Sequence, residues 1–433
     1  MNNKTSFIGP IDYTATLACH LRKLTPLMQF VVNRYFHPDQ SATSQLASDL
    51  AIALAARGMK VTAIASRQLY DNPDARLPAR ESYCGVTILR VNTTRFGRSN
   101  LLGRAFDYVS YYLGASWTLW RQALRGTVVV TMTDPPLLGV PVALICRLRG
   151  AHLVQWLQDV FPEVAVRMGV LRNGIAARLL AWLRDWSLRH SAEVVVIGDR
   201  MASFIAEHCA KPPVVIPNWA LEELAVESNK RNLLREKWSL GEYFVVGYSG
   251  NMGRAHRLDG LVDAASMLRD LPGFRLLMIG DGAQRAGLEG RAQAMELRNV
   301  QFRPYQPRER LRDSLGVPDI HVVSLEESLE GLVVPSKFAG AIAMGRPVLW
   351  IGAADGEVGS LVREYGCGLV VRTGDTAALA GAMRELAADF GNGGARLAHM
   401  ATQARVLWRG RLQRESAIRA WGELLEHVGQ SRD

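Results

Sequence analysis

The chain is poor in the features that mark several common protein classes. Its 433 residues hold five cysteines (Cys19, Cys84, Cys146, Cys209 and Cys367), odd in number, scattered, and without a Cys-x-x-Cys pair. That excludes a disulfide framework and a zinc spacing, and it points to a reducing compartment. No apolar run reaches the roughly 20 uninterrupted residues of a transmembrane helix. The best, 127–146, is broken by Asp134-Pro135-Pro136 and by Pro141. No signal-sequence pattern is read at the N-terminus, since Ile11–Leu21 is weakly apolar and no small-residue cleavage site follows. The expectation is a cytoplasmic protein, attached to a membrane only peripherally. What is present, 48% apolar and 21% charged residues, is the composition of a folded chain, long enough for two or three domains of roughly 150 residues.

The formal net charge of +10 is unevenly placed. Residues 1–220 hold 24 Lys and Arg against 14 Asp and Glu, whereas 221–433 hold 27 of each. A basic half fits nucleic acid, an anionic membrane or an acidic ligand. Nucleic acid lacks support, because no RNP, helix-turn-helix or zinc motif is present. The stretch 100–126 carries Tyr108, Tyr111, Tyr112, Trp117 and Trp120 with Asp107 as its single acid, and 164–184 carries Arg167, Arg172, Arg178 and Arg184 beside Leu179, Leu180, Trp182 and Leu183 with none. Cations alternating with aromatic and leucine anchors describe a helix in a bilayer interface, each cation contributing about 1 kcal/mol near an anionic leaflet. Trp117, Trp120, Arg172, Arg178, Trp182 and Arg184 are therefore the candidate membrane residues. For 100–126, an ordinary amphipathic helix packed on a sheet fits equally well.

The periodicity alternates strand and helix twice over. Residues 1–27 read as an extension, and 28–217 as one doubly wound α/β domain beginning with an apolar strand at Met28. Polar residues 218–242 form a linker, 243–390 a second doubly wound domain, and 391–433 a helical tail long enough to return over the first domain. Two such Rossmann-like domains facing across a cleft place ligands at the carboxyl ends of both sheets.

Candidate chemistry clusters after the strands of the second domain. Gly250-Asn251-Met252-Gly253 follows a strand and is read as opening a helix, so its N–H groups would face an anion, reinforced by Arg254, His256 and Arg257. An ordinary strand-to-helix turn is the competing reading, and for Gly280-Asp281-Gly282 the structural reading is preferred. Ser336-Lys337, just after Pro335, converge a hydroxyl, an ammonium and N–H donors on a site suited to phosphate.

The succession YSGNMG, IGDG, VPSK, AMGRPVL and DGEV resembles the donor half of a family-4 retaining glycosyltransferase of GT-B fold. The segments NRYFHPDQSATSQLASDLAIALAARGMKV, WLQDVFPE, VVIGDRM and VIPNWA resemble the acceptor half, in the branch that builds bacterial exopolysaccharide, colanic-acid and O-antigen chains. The resemblance implies transfer of a sugar, with retention, from a UDP- or GDP-sugar to a polyprenyl-diphosphate-linked glycan acceptor. It implies a donor site at Gly250, Asn251, Gly253, His256, Ser336 and Lys337. The family's paired glutamates fall on Leu332 and Gly340; Glu330 is two positions off the first, and Glu357, after the AMGRPVL strand, is the substitute candidate, both counted with the donor site. In the first domain it implies Asp159 and Glu163 in the cleft, with Asp39, Ser41 and Thr43 on the other wall. An N-terminal helix carboxylate is an equal reading of Asp39. No Asp-x-Asp occurs, so no metal and no cofactor are expected, and Lys337 and Arg254 would stabilise the leaving diphosphate, with Asp159 orienting hydroxyls. A nucleotide-sugar 2-epimerase and a non-catalytic GT-B subunit docking another transferase to the membrane remain the alternatives.

Overall fold

The computed structural model describes residues 28–97, 101–220, 224, 232–253 and 255–430. The expected extension at 1–27, residues 221–223 and 225–231 of the linker, and Arg254 lie outside them.

Strands β1 (Met28–Val32), β2 (Lys60–Ser66), β3 (Arg80–Tyr83), β4 (Val86–Val91), β5 (Val128–Thr131), β6 (His152–Trp156), β7 (Glu193–Val196) and β8 (Val214–Val215) form one sheet in the order β3-β4-β2-β1-β5-β6-β7-β8. All neighbours are parallel except β3 on β4. Sequence reading missed β3 because Arg-Glu-Ser-Tyr offers no apolar period to a buried face; it is an edge strand turned back by Cys84-Gly85, both at positive φ. The continuous Val and Ile runs of β1, β2 and β5 are buried on both sides, as a parallel sheet requires.

Helices α1 (Ala42–Ala56), α2 (Leu101–Gln122), α3 (Gly139–Arg149), α4 (Glu163–Arg167), α5 (Ile175–Arg189) and α6 (Asp199–Ile205) complete this domain. Tyr111, Ala115 and Leu119 of α2 and Val142, Ala143 and Cys146 of α3 are buried against one face of the sheet. Leu46, Leu50 and Leu54 of α1 cover the other.

The second sheet contains β9 (Phe244–Ser249), β10 (Phe274–Ile279), β11 (Val300–Arg303), β12 (Ile320–Ser324), β13 (Val348–Ile351) and β14 (Gly368–Val371), all parallel, in the order β11-β10-β9-β12-β13-β14. This is the doubly wound order whose direction reverses at its first strand, opening a crevice at the carboxyl ends of β9 and β12. The first sheet reverses in the same way between β1 and β5. Around the second sheet lie α7 (Leu233–Lys237), α8 (Asp259–Ser266), α9 (Arg285–Ala294), α10 (Leu311–Gly316), α11 (Lys337–Ala343), α12 (Glu357–Tyr365), α13 (Thr376–Gly391), α14 (Ala395–Leu407) and α15 (Arg414–Gln430).

The tail does return to the first domain. A π-helical segment at Trp408–Leu412 separates α14 from α15, and α15 lies on α1. Arg414 places Nε and Nη2 at 2.7 Å from the two carboxylate oxygens of Asp49, and Arg57 donates to the Ile418 carbonyl. Fully buried Trp421 stacks obliquely on Trp156, ring centroids 4.8 Å apart. The domains also touch directly. Val160 N–H donates to the Leu332 carbonyl at 2.9 Å, Asp159 pairs with Val333 as an antiparallel bridge, and one apolar core continues from Val154 and Trp156 to Leu325, Leu332 and Phe338.

Candidate active site

A cavity of about 330 Å³ opens between the carboxyl edges of the two sheets. Gln45 and Asn218 line it from the first domain, and Gly250, Tyr305, Ser336 and Lys337 from the second. Gly250 is required at its position. Its φ is +132° and a Cβ there would sit 2.5 Å from Lys337 Cε. The Gly280-Asp281-Gly282 turn is the shelf beneath: Gly250 N–H donates to the Ile279 carbonyl and Met252 N–H to that of Asp281. Gly280 brings its Cα against the Gly250 carbonyl, where a Cβ would lie 2.1 Å away.

One expectation fails here. Gly250–Gly253 does not open a helix, because α8 begins only at Asp259. The intervening carbonyls are bonded sideways instead, those of Gly253 and His256 both accepting from the Gln284 amide. The turn therefore lies ahead of α8 rather than at its N-terminus. Asn251 is exposed and Gly253 half-buried, and Arg254 lies outside the described residues. Ser336-Lys337 does begin a helix, α11, with the Ser336 side chain exposed and bonded to no helix N–H.

Lys337 is the central group. Its ammonium lies over the Tyr248 ring, 5.3 Å from the centroid, and 3.0 Å from His256 Nε2. Burial lowers it to about 8. Burial, with the Lys337 charge beside it, lowers His256 to about 4, so the imidazole is neutral near pH 7. Its Nδ1 lies 2.5 Å from the Ser324 carbonyl, which can only accept; this assigns the proton to Nδ1 and leaves Nε2 to accept from Lys337. His256 thus orients the ammonium without adding charge. Tyr248, whose hydroxyl donates to the Asn251 carbonyl, supports both the turn and the lysine. Sequence reading named His256 as a donor ligand and passed over Tyr248, although it stands inside the YSGNMG motif.

The substitute glutamates meet helix ends. Glu330 Oε1 accepts the Glu357 N–H at 2.6 Å, capping α12, and burial raises its carboxyl above the usual range. Glu357 Oε2 accepts the Arg200 N–H at 2.9 Å in the first turn of α6. One oxygen of each carboxylate thus engages a helix N-terminus, that of Glu357 across the domain boundary. Leu332 is buried in the shared core and Gly340 lines the cavity.

In the first domain, Asp159 lies at the seam. Its Oδ1 is buried without a hydrogen-bond partner, and burial raises its carboxyl, opposed in part by a bond from Thr133. Glu163 is held by Arg184 Nη1 at 2.6 Å. Arg184 is only 6% exposed and also pairs with Asp185. It is therefore withdrawn from the membrane set, and Glu163 is a structural partner. Asp39 accepts from Ser41 N–H and Oγ and from Tyr70 N–H, tying the loop before α1 to that after β2. Ser41 and Thr43 flank the cavity, but Gln40, Ala42 and Gln45 are the residues that line it. Trp117, Trp120, Arg172, Arg178 and Trp182 are all exposed.

Comparison with known proteins agrees with this architecture. Residues 42–219 match the family described as glycosyl transferase 4-like domain, and 243–389 that of glycosyl transferases group 1. The chain is 27% identical to WbjE of Pseudomonas aeruginosa, named a glycosyltransferase, over 82% of this chain and 88% of the relative. It is 26% identical to WcaI of Escherichia coli K12, named a colanic acid biosynthesis glycosyl transferase, over 81% and 89%. HepE of Anabaena in complex with UDP-glucose superposes with a TM-score of 0.69 at 15% identity, over 93% of this chain and all of that one. Two doubly wound domains, a glycine turn beside a buried lysine in the cleft between them, and family matches on both sides of it identify the chain as a member of the group 1, family-4 glycosyltransferases of GT-B fold.

Proposed function

We propose that this transferase moves a sugar from a nucleoside diphosphate sugar, UDP- or GDP-linked, to a polyprenyl-diphosphate-linked glycan at an anionic membrane, in assembly of a bacterial surface polysaccharide. The observation that carries the reading is the Lys337 ammonium, buried beside the Gly250 turn in the interdomain cavity. A diphosphate placed there meets an ammonium, the exposed Ser336 hydroxyl and backbone N–H groups, donors that strengthen as charge develops on the leaving group. The relatives' names, one of them in colanic acid biosynthesis, and the UDP-glucose complex of HepE support the substrate class.

Transfer with retention is the proposed course. The acceptor hydroxyl attacks the anomeric carbon on the face that the diphosphate leaves, and the departing phosphate oxygen takes the hydroxyl proton. No protein nucleophile is needed, so positioning and domain closure carry much of the rate. Charge stabilisation by Lys337 would make the reaction independent of a divalent metal. Asp159, at the seam, would orient a hydroxyl.

The membrane part rests on an exposed apolar face. Leu102, Phe106, Val109, Leu113, Trp117 and Trp120 recur every three or four residues along the outer side of α2. Leu144 and Leu148 of neighbouring α3, and Ile175, Leu179 and Trp182 of α5 beside it, are exposed as well. Arg121, Arg147, Arg172 and Arg178 stand among them in solvent. So large an apolar face marks an interaction surface, and interspersed arginines suit anionic headgroups. Among the described residues no helix is long and apolar enough to cross a membrane.

The reading is tested by melting shifts with UDP, GDP and dTDP, then by product analysis with a polyprenyl-diphosphate sugar in anionic vesicles, with and without EDTA. A nucleotide-dependent shift and a product of unchanged anomeric configuration are expected. Interconversion of the nucleotide sugar without lipid would favour the epimerase; no shift with any nucleotide would favour the docking subunit.

A further inference from the structure

A second, smaller cavity, about 220 Å³, opens at the carboxyl edge of the first sheet, where the strand order reverses between β1 and β5. Arg34 and Tyr35 follow β1, Gln68 and Tyr70 follow β2, Asp134 follows β5, and Arg104, Asp107 and Tyr108 come from the first turns of α2. Doubly wound sheets bind ligands at such reversal points. None of these residues has a part in the donor site.

The buried base of this cavity is a guanidinium with too few partners. Arg34 is 6% exposed. Its Nη2 donates to Gln68 Oε1 at 3.3 Å and lies 3.7 Å from Asp107 Oδ2, while Nε is buried with no hydrogen-bond partner. The two side chains that meet Nη2 divide their hydrogen bonding with other groups. Gln68 gives its amide to the Thr94 carbonyl. Asp107 accepts from Thr94 Oγ1 and from the Phe96 and Gly97 N–H groups. The guanidinium is also flanked by the rings of Tyr35 and Tyr108, each 5.2 Å from Cζ. A buried donor left short of acceptors is destabilising, and a ligand oxygen would satisfy it.

The lining selects the kind of ligand. Two arginines (Arg34 and Arg104) are balanced by two aspartates (Asp107 and Asp134), and Tyr35, Tyr70 and Tyr108 add aromatic faces. A phosphate would meet the Asp134 carboxylate, and among the described residues no lysine lines the cavity. A sugar hydroxyl both donates and accepts, and uses carboxylate and guanidinium at once, while its C–H faces pack on tyrosine rings. The volume is below the roughly 300–1,000 Å³ of pockets for drug-sized ligands and suits one ring.

We infer that this cavity is a subsite for one hexopyranose unit of the acceptor glycan, held by Arg34 and Asp134 between Tyr35 and Tyr108. The inference rests on the reading that the first domain binds the acceptor. Two placements agree with it. Helix α2 bears Arg104, Asp107 and Tyr108 toward the pocket and Leu102 and Phe106 toward solvent, so a glycan on a bilayer-anchored lipid would arrive beside its own membrane surface. Tyr70, on the rim, lies with Asp71 in electrostatic reach of Tyr305, which lines the donor cavity, so the two cavities adjoin.

The test is saturation-transfer NMR with octyl gluco-, galacto- and mannopyranosides below micelle concentration, on wild type, Tyr108→Ala, Asp134→Asn and Arg34→Gln, with UDP melting shifts in parallel. At least one glycoside should bind wild type. Its Kd should rise tenfold or more in Tyr108→Ala and Asp134→Asn, with the UDP shift retained. Should Arg34→Gln not fold, the other two variants decide. No glycoside bound to wild type, binding indifferent to both substitutions, or displacement of the glycoside by inorganic phosphate would overturn the subsite. A missing UDP shift with glycoside binding intact would instead remove the transferase reading and leave the pocket standing.

Discussion

The carboxyl edges of the two sheets face each other across one cleft, yet they handle charge in opposite ways. In the second domain, whose formal charge balances to zero, a single ammonium is drawn inside and held by neutral groups, the Tyr248 ring and the His256 Nε2 lone pair. In the first, which carries all the excess of +10, the buried cations Arg34 and Arg184 are matched by Asp107, Glu163 and Asp185. Much of its surplus stands outside, on α2, α3 and α5. Net charge thus points to where an extended anionic surface would be met, whereas a compact anion is read by local desolvation, and the two do not coincide.

The strongest way to break the comparison is Lys337→Ala. Losing the ammonium proposed to meet developing charge should lower kcat/KM by roughly 10²–10³, with the circular-dichroism spectrum and melting cooperativity kept. Near-normal turnover would remove the distinction between the two edges. Next comes the clamp that holds both walls in place. Asp49 accepts from Arg414 twice and from Trp219 Nε1, so Asp49→Ala should cost roughly 1–3 kcal/mol in urea unfolding, without altering membrane partition.

A pH series sharpens the contrast further. On the proposed reading the protonated Lys337 binds diphosphate, and its value of about 8 in the free protein would be raised with an anion beside it. UDP affinity should therefore be full below about pH 8 and fall above it, by at most about tenfold per pH unit. In calorimetry Lys337→Arg should flatten the curve between pH 7 and 9.5. The smallest effects belong to the outer face. Arg172→Glu and Arg178→Glu should each lower partition to anionic vesicles by about fivefold, from about 1 kcal/mol per cation, leaving UDP binding unchanged. Arg184→Glu should instead lower the melting temperature, since its guanidinium is buried against Glu163 and Asp185.

Much of this was legible in the residues. The 3.6- and 2-residue periods placed nearly every element, and Gly250 and Ser336-Lys337, singled out as candidates, line one interdomain cavity. What was not legible has definable reasons. β3 carries no apolar period. Glu330 and Glu357 stand near the right places in the chain, but only folding reveals that one oxygen of each meets a helix N-terminus. Arg184 reads as one of four arginines along a helical stretch until packing sets it against two carboxylates. Arg34, inside the quoted NRYF segment, carries no local sign of its incomplete hydrogen bonding.

By itself the sequence determined the doubly wound class, the family, the uneven charge and the glycine positions where a side chain has no room. Each depends on residues near in the chain or on properties summed along it. Tertiary structure decided which charges are free. Whether a carboxylate or guanidinium binds a ligand, a helix end or a neighbour depends on groups up to several hundred residues away, as Asp49 with Arg414 shows, and on the water that folding removes around them.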